Sequence, residues 1–332
     1  MRWALIGASR IASSYMIEAI RAQGGDILSV LSSDAARGEG YARENGIGRS
    51  LTDLDQLLAD DSVDAVYIST TNEKHHAQAL AAIAAGKHIL CEKPLAMTLD
   101  DACEMVRAAK EKGVVFATNH HLRNAGSHLA IRDLIRSGRI GEVLSARVFH
   151  AVHLPEVLQG WRINDAAAGG GVIPDITVHD ADTVRFHLGE DPQEVVAKAG
   201  ASGMGQGVED SVMSVWSMPS GAMVESHESF THPFAGTGIE FHGTKGSLFA
   251  RNVMTQEPTG EIVLVDADGE HAIPFAKHNL YEYALGLFKG AVAGTGAPSA
   301  DGVDGIKSLA VALAVREAAQ TGQAVTVNYG GF

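Results

Sequence analysis

The chain has 332 residues, of which 45% are hydrophobic and 20% charged, and it carries a formal charge of −14. That length holds about two domains of ordinary size, and the acidic balance excludes a nucleic-acid or anionic-membrane partner, which needs a dense basic face. Cys91 and Cys103 are the only cysteines, which excludes a disulfide framework and a thiolate zinc cluster.

The opening Met1-Arg2-Trp3-Ala4-Leu5-Ile6-Gly7 is too short an apolar run for a signal peptide. No stretch approaches the roughly 20 apolar residues of a membrane helix. A cytoplasmic location is expected. In the first 120 residues short apolar runs alternate with helical patterns. Strands are expected at Trp3–Ile6, Ile27–Leu31, Ala65–Ser69, His88–Cys91 and Val114–Thr118, and helices at Ile11–Gln23, Ala35–Asn45 and Glu73–Ala85. Thr98 with Asp100 and Asp101 reads as the capped start of a helix reaching about Lys112. This order predicts a doubly wound parallel sheet, a Rossmann dinucleotide-binding domain over residues 1–120.

After Asn119 the pattern changes. A helix is expected near Gly169–Leu188, followed by strands at Val195–Ala199, Val212–Trp216, Met223–Glu228, Ile239–His242, Ser247–Phe249 and Ile262–Val265, and helices at Leu280–Ala293 and Asp304–Thr321. Alternation along these strands predicts a large, mostly antiparallel open sheet. Residues 121–332 are therefore read as an α+β substrate-binding domain closed by C-terminal helices.

Gly7-Ala8-Ser9-Arg10-Ile11-Ala12 sits between the first strand and first helix, where a dinucleotide loop belongs. It is an incomplete fingerprint, with Ser9 and Ala12 in place of the second and third glycines. An NAD enzyme carries an acid about 20 residues further on, to accept from the ribose. Here the second strand ends in Ser32 and Ser33, with Arg37 a turn later, and small donors beside a guanidinium favour a 2′-phosphate and hence NADP. Asp34 stands against that reading, since it would repel a phosphate unless it points to solvent.

Ligands of such sheets bind beyond the carboxyl ends of the strands. Three of those ends are polar: Ser69 to Asn72 with His75, Glu92-Lys93-Pro94, and Asn119-His120. Lys93 is placed to donate to a substrate oxygen. In the second half, Asp175 and His179 are four residues apart on a helix entered through Gly169-Gly170-Gly171, glycines that allow close approach to a ligand. A histidine titrating near neutrality beside an acid suits proton transfer. The pairs His75/His76, His120/His121 and His150/His153 define no coordination sphere, and no metal is expected.

On the Gly7–Ala12 loop, Glu92-Lys93-Pro94 and the Gly169–His179 segment, the whole chain resembles the glucose–fructose oxidoreductase and inositol dehydrogenase family (Gfo/Idh/MocA). The resemblance implies an enzyme that uses NADPH to reduce the ketone of a small sugar. It implies Ala8 to Ile11 at the pyrophosphate, Ser32, Ser33 and Arg37 at the 2′-phosphate, and Thr70, Thr71, Asn72, Glu73, Lys74 and His75 along the cofactor. Glu92, Lys93, Asn119, Trp161, Arg162 and Tyr281 complete the implied pocket, with Lys93, His179 and Asp175 at the family's catalytic positions. An NAD-dependent dehydrogenase of a cyclic polyol and a non-catalytic dinucleotide sensor are the competing readings. Monomer and homo-oligomer are both open.

Overall fold

The computed structural model describes all 332 residues. They divide into two compact units: Met1–His120 with Tyr281–Ile306, and His121–Leu280 with Lys307–Phe332.

The first unit opens with β1 (Arg2–Ile6), whose last four residues are buried. A π-turn over Ala12–Met16 leads into α1 (Ile17–Ala22), then β2 (Asp26–Leu31) and α2 (Ala35–Glu44). The short β3 (Arg49–Leu51) and α3 (Leu54–Leu58) follow, too brief to register as periodic patterns in the sequence. Then come β4 (Ala65–Ile68), α4 (His75–Ala84), β5 (His88–Cys91), α5 (Leu99–Lys112) and β6 (Phe116–Thr118). Thr98 caps α5 by accepting from the Asp101 N–H at 3.2 Å, which satisfies one of the orphan donors of the first turn. The six strands run parallel in the order β3-β2-β1-β4-β5-β6. The order reverses between β1 and β4, the place where open α/β sheets leave a crevice for ligand.

The second unit contains α6 (Gly126–Arg136), β7 (Val143–Ala151), the one-turn α7 (Trp161–Asn164) and α8 (Val178–Leu188), which continues a π-turn over Ile173–Thr177. Strands β8 (Glu194–Gly200), β9 (Ser211–Ser217), β10 (Met223–Ser229), β11 (Thr237–Gly243), β12 (Gly246–Arg251), β13 (Glu261–Asp266) and β14 (Gly269–Ala272) follow. With the closing β15 (Val325–Thr326) they make a nine-stranded sheet ordered β14-β13-β12-β11-β7-β10-β9-β8-β15. All its pairs are antiparallel except β7 with β10. Val212, Trp216, Val224, Ile239, Phe241 and Leu248 face the core, while Met213, Val215 and Met223 are exposed on the other face.

Helices α9 (Leu280–Val292) and α10 (Gly302–Thr321) close the chain. The sequence groups residues 281–306 with the second half, but they pack with the first 120 residues. The reason is aromatic: the Phe288 ring lies 5.3 Å from Trp3, and Tyr281 stacks on Tyr15 at 5.1 Å. Both cysteines are buried free thiols. No helix is long and apolar enough to cross a membrane.

Helix α8 is buried from Val178 through His187, including five titratable side chains. Arg123 grips Asp182 through two bonds, 2.7 and 2.5 Å. Arg185 reaches Asp191 at 2.7 Å, and Lys307 holds the other oxygen of Asp191 at 2.6 Å. His187 pairs with His128 at 3.0 Å, and the far nitrogen of His128 lies 3.1 Å from the Val253 carbonyl. Burial brings the His128 imidazole down to about 4, and burial with the His128, Arg132 and Arg123 neighbours holds His187 well below its ordinary range.

Both folded-state values lie below the unfolded one, so the stability these neutral imidazoles contribute is complete above about pH 6.5 and is lost as pH falls toward 4. The unfolded chain takes up protons in that window that the folded core refuses. Urea unfolding is expected to show a falling midpoint on acidification from pH 7 to 4.5 at unchanged slope, approaching about 3 kcal/mol for His128 alone. A flat profile there would show that the pair admits charge.

Candidate active site

Parallel register builds the edge of the first unit. Ile6 pairs with Ile68, Ile68 with Cys91, and Cys91 with Thr118, so Gly7, Ser69, Glu92 and Asn119 leave the sheet side by side. The buried run before Glu92 is a strand covered on both faces, and the charge follows where the strand reaches the edge.

Gly7 has φ +116°, and a Cβ there would come within 3.1 Å of the Ser69 backbone and 3.2 Å of the Thr70 methyl. The position therefore requires glycine. Ser9 bonds the Ser69 hydroxyl at 2.7 Å and accepts from the Ala12 N–H at 3.2 Å, while Tyr41 donates to the Ser9 carbonyl at 2.9 Å. The loop is thus tied to the ends of β1 and β4 without the second glycine of the fingerprint. A tight glycine turn entering a helix is the cradle that a dinucleotide pyrophosphate fits.

At the end of β2, Ser32 is buried and Arg37 exposed. The Arg37 Nε donates to the Ser32 hydroxyl at 3.3 Å. Asp34 caps α2, its Oδ1 accepting from the Arg37 N–H at 2.7 Å.

Along the next strand end, Thr70 donates to Gln78 and Thr71 to Glu73, each at 2.7 Å, and Glu73 pairs with Lys74 at 3.7 Å. Asn72 is buried. His75 is wholly buried, its Nδ1 2.8 Å from the Pro94 carbonyl and its Nε2 3.2 Å from that of Thr70. Its place is behind the edge, linking two loops, and burial lowers its affinity for a proton.

Glu92 is 9% exposed. One of its oxygens accepts from Tyr67 at 2.5 Å and from Asn119 at 2.6 Å. Burial and the Glu92 charge push the Tyr67 hydroxyl well above its ordinary value, so it stays a donor. Tyr67 looks like a core aromatic in the sequence, and nothing local reveals its bond to a residue 25 positions away. Lys93, half-buried, follows Glu92, and the Lys93–Pro94 bond is cis.

In the second unit, the glycine run before Asp175 approaches the protein's own chain rather than opening toward a ligand. A Cβ on Gly170 would meet the carbonyls of Trp161 at 2.5 Å and Asp165 at 2.8 Å. Backbone bonds from Gly170 to Asp165 and from Gly171 to Arg162, both 2.8 Å, bolt the α7 turn to the start of the π-turn. Arg162 then reaches Asp175 at 3.3 Å, donates to the Leu158 carbonyl at 3.2 Å, and lies 4.6 Å over the Trp161 ring. His179 meets the edge of His121 at 4.7 Å between ring centres, both residues buried. His121 is a neighbour that the sequence offered only as half of an adjacent pair. On the first unit's surface, His76 sits 2.9 Å from Glu104 and 3.7 Å from Asp101.

Comparison with known proteins identifies the class. The model of the oxidoreductase family with an NAD-binding Rossmann fold (GFO_IDH_MocA) matches residues 1–120, and that of the GFO/IDH/MocA C-terminal domain matches 128–249. The chain belongs to this family, and it is an oxidoreductase that takes a nicotinamide dinucleotide. Among individual relatives, the 1,5-anhydro-D-fructose reductase of Ensifer adhaerens is 59% identical over 99% of both chains. A D-xylose 1-dehydrogenase (NADP(+)) of Haloferax volcanii is 28% identical over 99% of this chain and all of its own. The crystal structure of an aldose-aldose oxidoreductase from Caulobacter crescentus, 24% identical, shares the fold over 98% of this chain and 99% of its own, with a TM-score of 0.90.

Tyr67→Phe should leave the buried Glu92 oxygen with a single donor. Hydrogen bonds to charged groups are worth about 1.5–3 kcal/mol, and an unfolding free energy lowered by that amount, read as a lower urea midpoint at unchanged slope, is the expected result. An unchanged midpoint would mean that Asn119 alone suffices.

Proposed function

We propose that this chain reduces the C2 ketone of 1,5-anhydro-D-fructose to 1,5-anhydro-D-mannitol with NADPH. The observation that carries the reading is full-length likeness to the Ensifer reductase, 59% over 99% of both chains. The match spans the whole chain rather than the dinucleotide domain alone. Buried free thiols and the lack of a spanning helix agree with a cytoplasmic enzyme.

NADPH is preferred in this reading because the end of β2 offers a hydroxyl and a guanidinium together, and because one oxygen of the Asp34 carboxylate is engaged in the α2 cap. A ribose-accepting acid is then wanting, while a 2′-phosphate gains a charge-assisted partner. The bound dinucleotide supplies the hydride. Lys93 stabilises the negative charge that grows on the sugar oxygen, and His179 delivers the proton that neutralises it. Asp175, paired with Arg162, sets the field around the histidine and fixes the Trp161 turn, whose indole offers an apolar wall to a sugar face. Thr70 to His75, Glu92, Asn119 and Tyr281 complete the cofactor side.

The test is an NADPH-oxidation panel of anhydrofructose, simple osones, inosose and aldoses. Anhydrofructose should give the highest kcat/KM, and a preference for inosose or an aldose would overturn the substrate assignment. Fluorescence titration should show tighter NADPH than NADH, with Arg37→Ala weakening NADPH by roughly 10- to 100-fold and NADH little, since a charge-assisted contact is worth about 1.5–3 kcal/mol. Equal or tighter NADH binding in the wild type would refute it.

For the proton step, His179→Ala should lower kcat by about 10²–10⁴-fold at nearly constant NADPH affinity. Lys93→Met should damage kcat and sugar KM together, because its contact exists before and during reduction. Near wild-type turnover in the His179 variant would move the donor to Lys93 or to water.

A further inference from the structure

One cluster of titratable groups in the second unit has no part in the chemistry above. Asp180, the residue after His179 on α8, lies against the inner face of the nine-stranded sheet. There His150 of β7 and Glu228 of β10 are register partners. Asp180, Glu228 and Ser226 are all 0% exposed. His150 Nδ1 is 2.8 Å from Asp180 Oδ1, and Ser226 donates to Glu228 Oε1. The remaining oxygens, Asp180 Oδ2 and Glu228 Oε2, are buried with no donor from the protein, and the two carboxyls are near enough that the Asp180 charge raises the Glu228 carboxyl.

Two ionised carboxylates are acceptors only, so neighbouring buried oxygens without a protein donor are satisfied by a single proton held between them. His128 of α6 is near enough to feel the charge of His150, and burial keeps it neutral near pH 7. It adds no charge to pull the proton away. His150 is the array's opening to solvent: its side chain is 12% exposed, and its Nε2 is neither buried nor bonded to protein.

We infer that Asp180 and Glu228 hold one proton between them, and that this proton fixes His150 as the Nδ1–H tautomer, whose free Nε2 accepts a hydrogen bond from a substrate hydroxyl beside His179. Glu228 carries the proton and donates it to Asp180 Oδ2; Asp180 keeps one negative charge and receives Nδ1–H on Oδ1; the lone pair is left on Nε2. Burial first, and the Asp180 charge second, keep the Glu228 carboxyl protonated well above the ordinary carboxylate range. Asp180 and Glu228 are positioning residues acting through His150. The recognition role rests on the sugar-reductase reading, whereas the shared proton does not.

Infrared spectra of the full-length protein at pH 7 test the proton. A protonated-carboxyl carbonyl band is expected that shifts with ¹³C-glutamate and not with ¹³C-aspartate, and that Glu228→Gln removes. No such band in the wild type overturns the inference, and a band that follows aspartate instead reverses the roles of the two acids and overturns the assignment to Glu228. Long-range ¹H–¹⁵N spectra should show His150 protonated at Nδ1; the Nε2–H form would overturn its acceptor role. His150→Phe should raise the KM for anhydrofructose at least tenfold with NADPH affinity unchanged, and His150→Gln, which can both donate and accept, should recover part of it. An unaltered KM in a folded His150→Phe enzyme overturns the recognition role. A wild type that turns over no sugar ketone would defeat the reductase reading while leaving the infrared result standing.

Discussion

The second unit depends on a helix that is buried on every side and yet carries charge. A helix apolar all round can be buried by packing alone. Helix α8 instead brings His179, Asp180, Asp182, Arg185 and His187 into the interior, and each buried charge left alone would cost several kcal/mol. The surrounding elements are arranged to answer them: Arg123 for Asp182, Asp191 for Arg185, His128 for His187, and His150 with Glu228 for Asp180. These partners come from different elements, so the helix can sit in one register only. Ionic interiors are a weak source of net stability; here their effect is to fix the position of the helix that bears His179.

In the first unit the same end is reached by hydrogen-bonded strands. Parallel pairing lines up the ends of β1, β4, β5 and β6, and the residue after each strand inherits a defined neighbour. Glu92 is held by Tyr67 from within the sheet and by Asn119 from the adjacent edge. Lys93 follows directly, so the backbone that presents it is anchored on the preceding residue. The glycine loop is fixed in the same manner, with Ser9 bonded to Ser69 across the β1/β4 reversal.

Much of this was legible in the sequence where the signal is local. His88–Cys91 ends where the apolar run ends, and the Thr98 cap is visible from its flanking acids. The alternation of the later strands announced an antiparallel sheet. Signals that depend on distant partners were silent. The sequence does not show that Asp34 caps α2, and the glycines before Asp175 read as a ligand opening although the Trp161 and Asp165 carbonyls lie against them. Asp180 and Glu228 are ordinary acids in a one-dimensional reading, because only the fold sets them face to face. The same applies to residues 281–306, whose helical pattern is plain but whose destination is set by Trp3 and Tyr15.

That last arrangement bears on how the protein is made. The first unit is assembled from two stretches separated by 160 residues of the other, so a ribosome releases its six strands long before it releases Phe288 and Tyr281. Until the chain has grown past residue 306, the nascent Rossmann sheet waits with Trp3 uncovered, while the interposed unit is synthesised. Domains ordinarily fold in order of emergence. Here the packing of the earliest strands is completed by residues 281–306, which ties the final assembly of the first unit to the arrival of α9 and the start of α10.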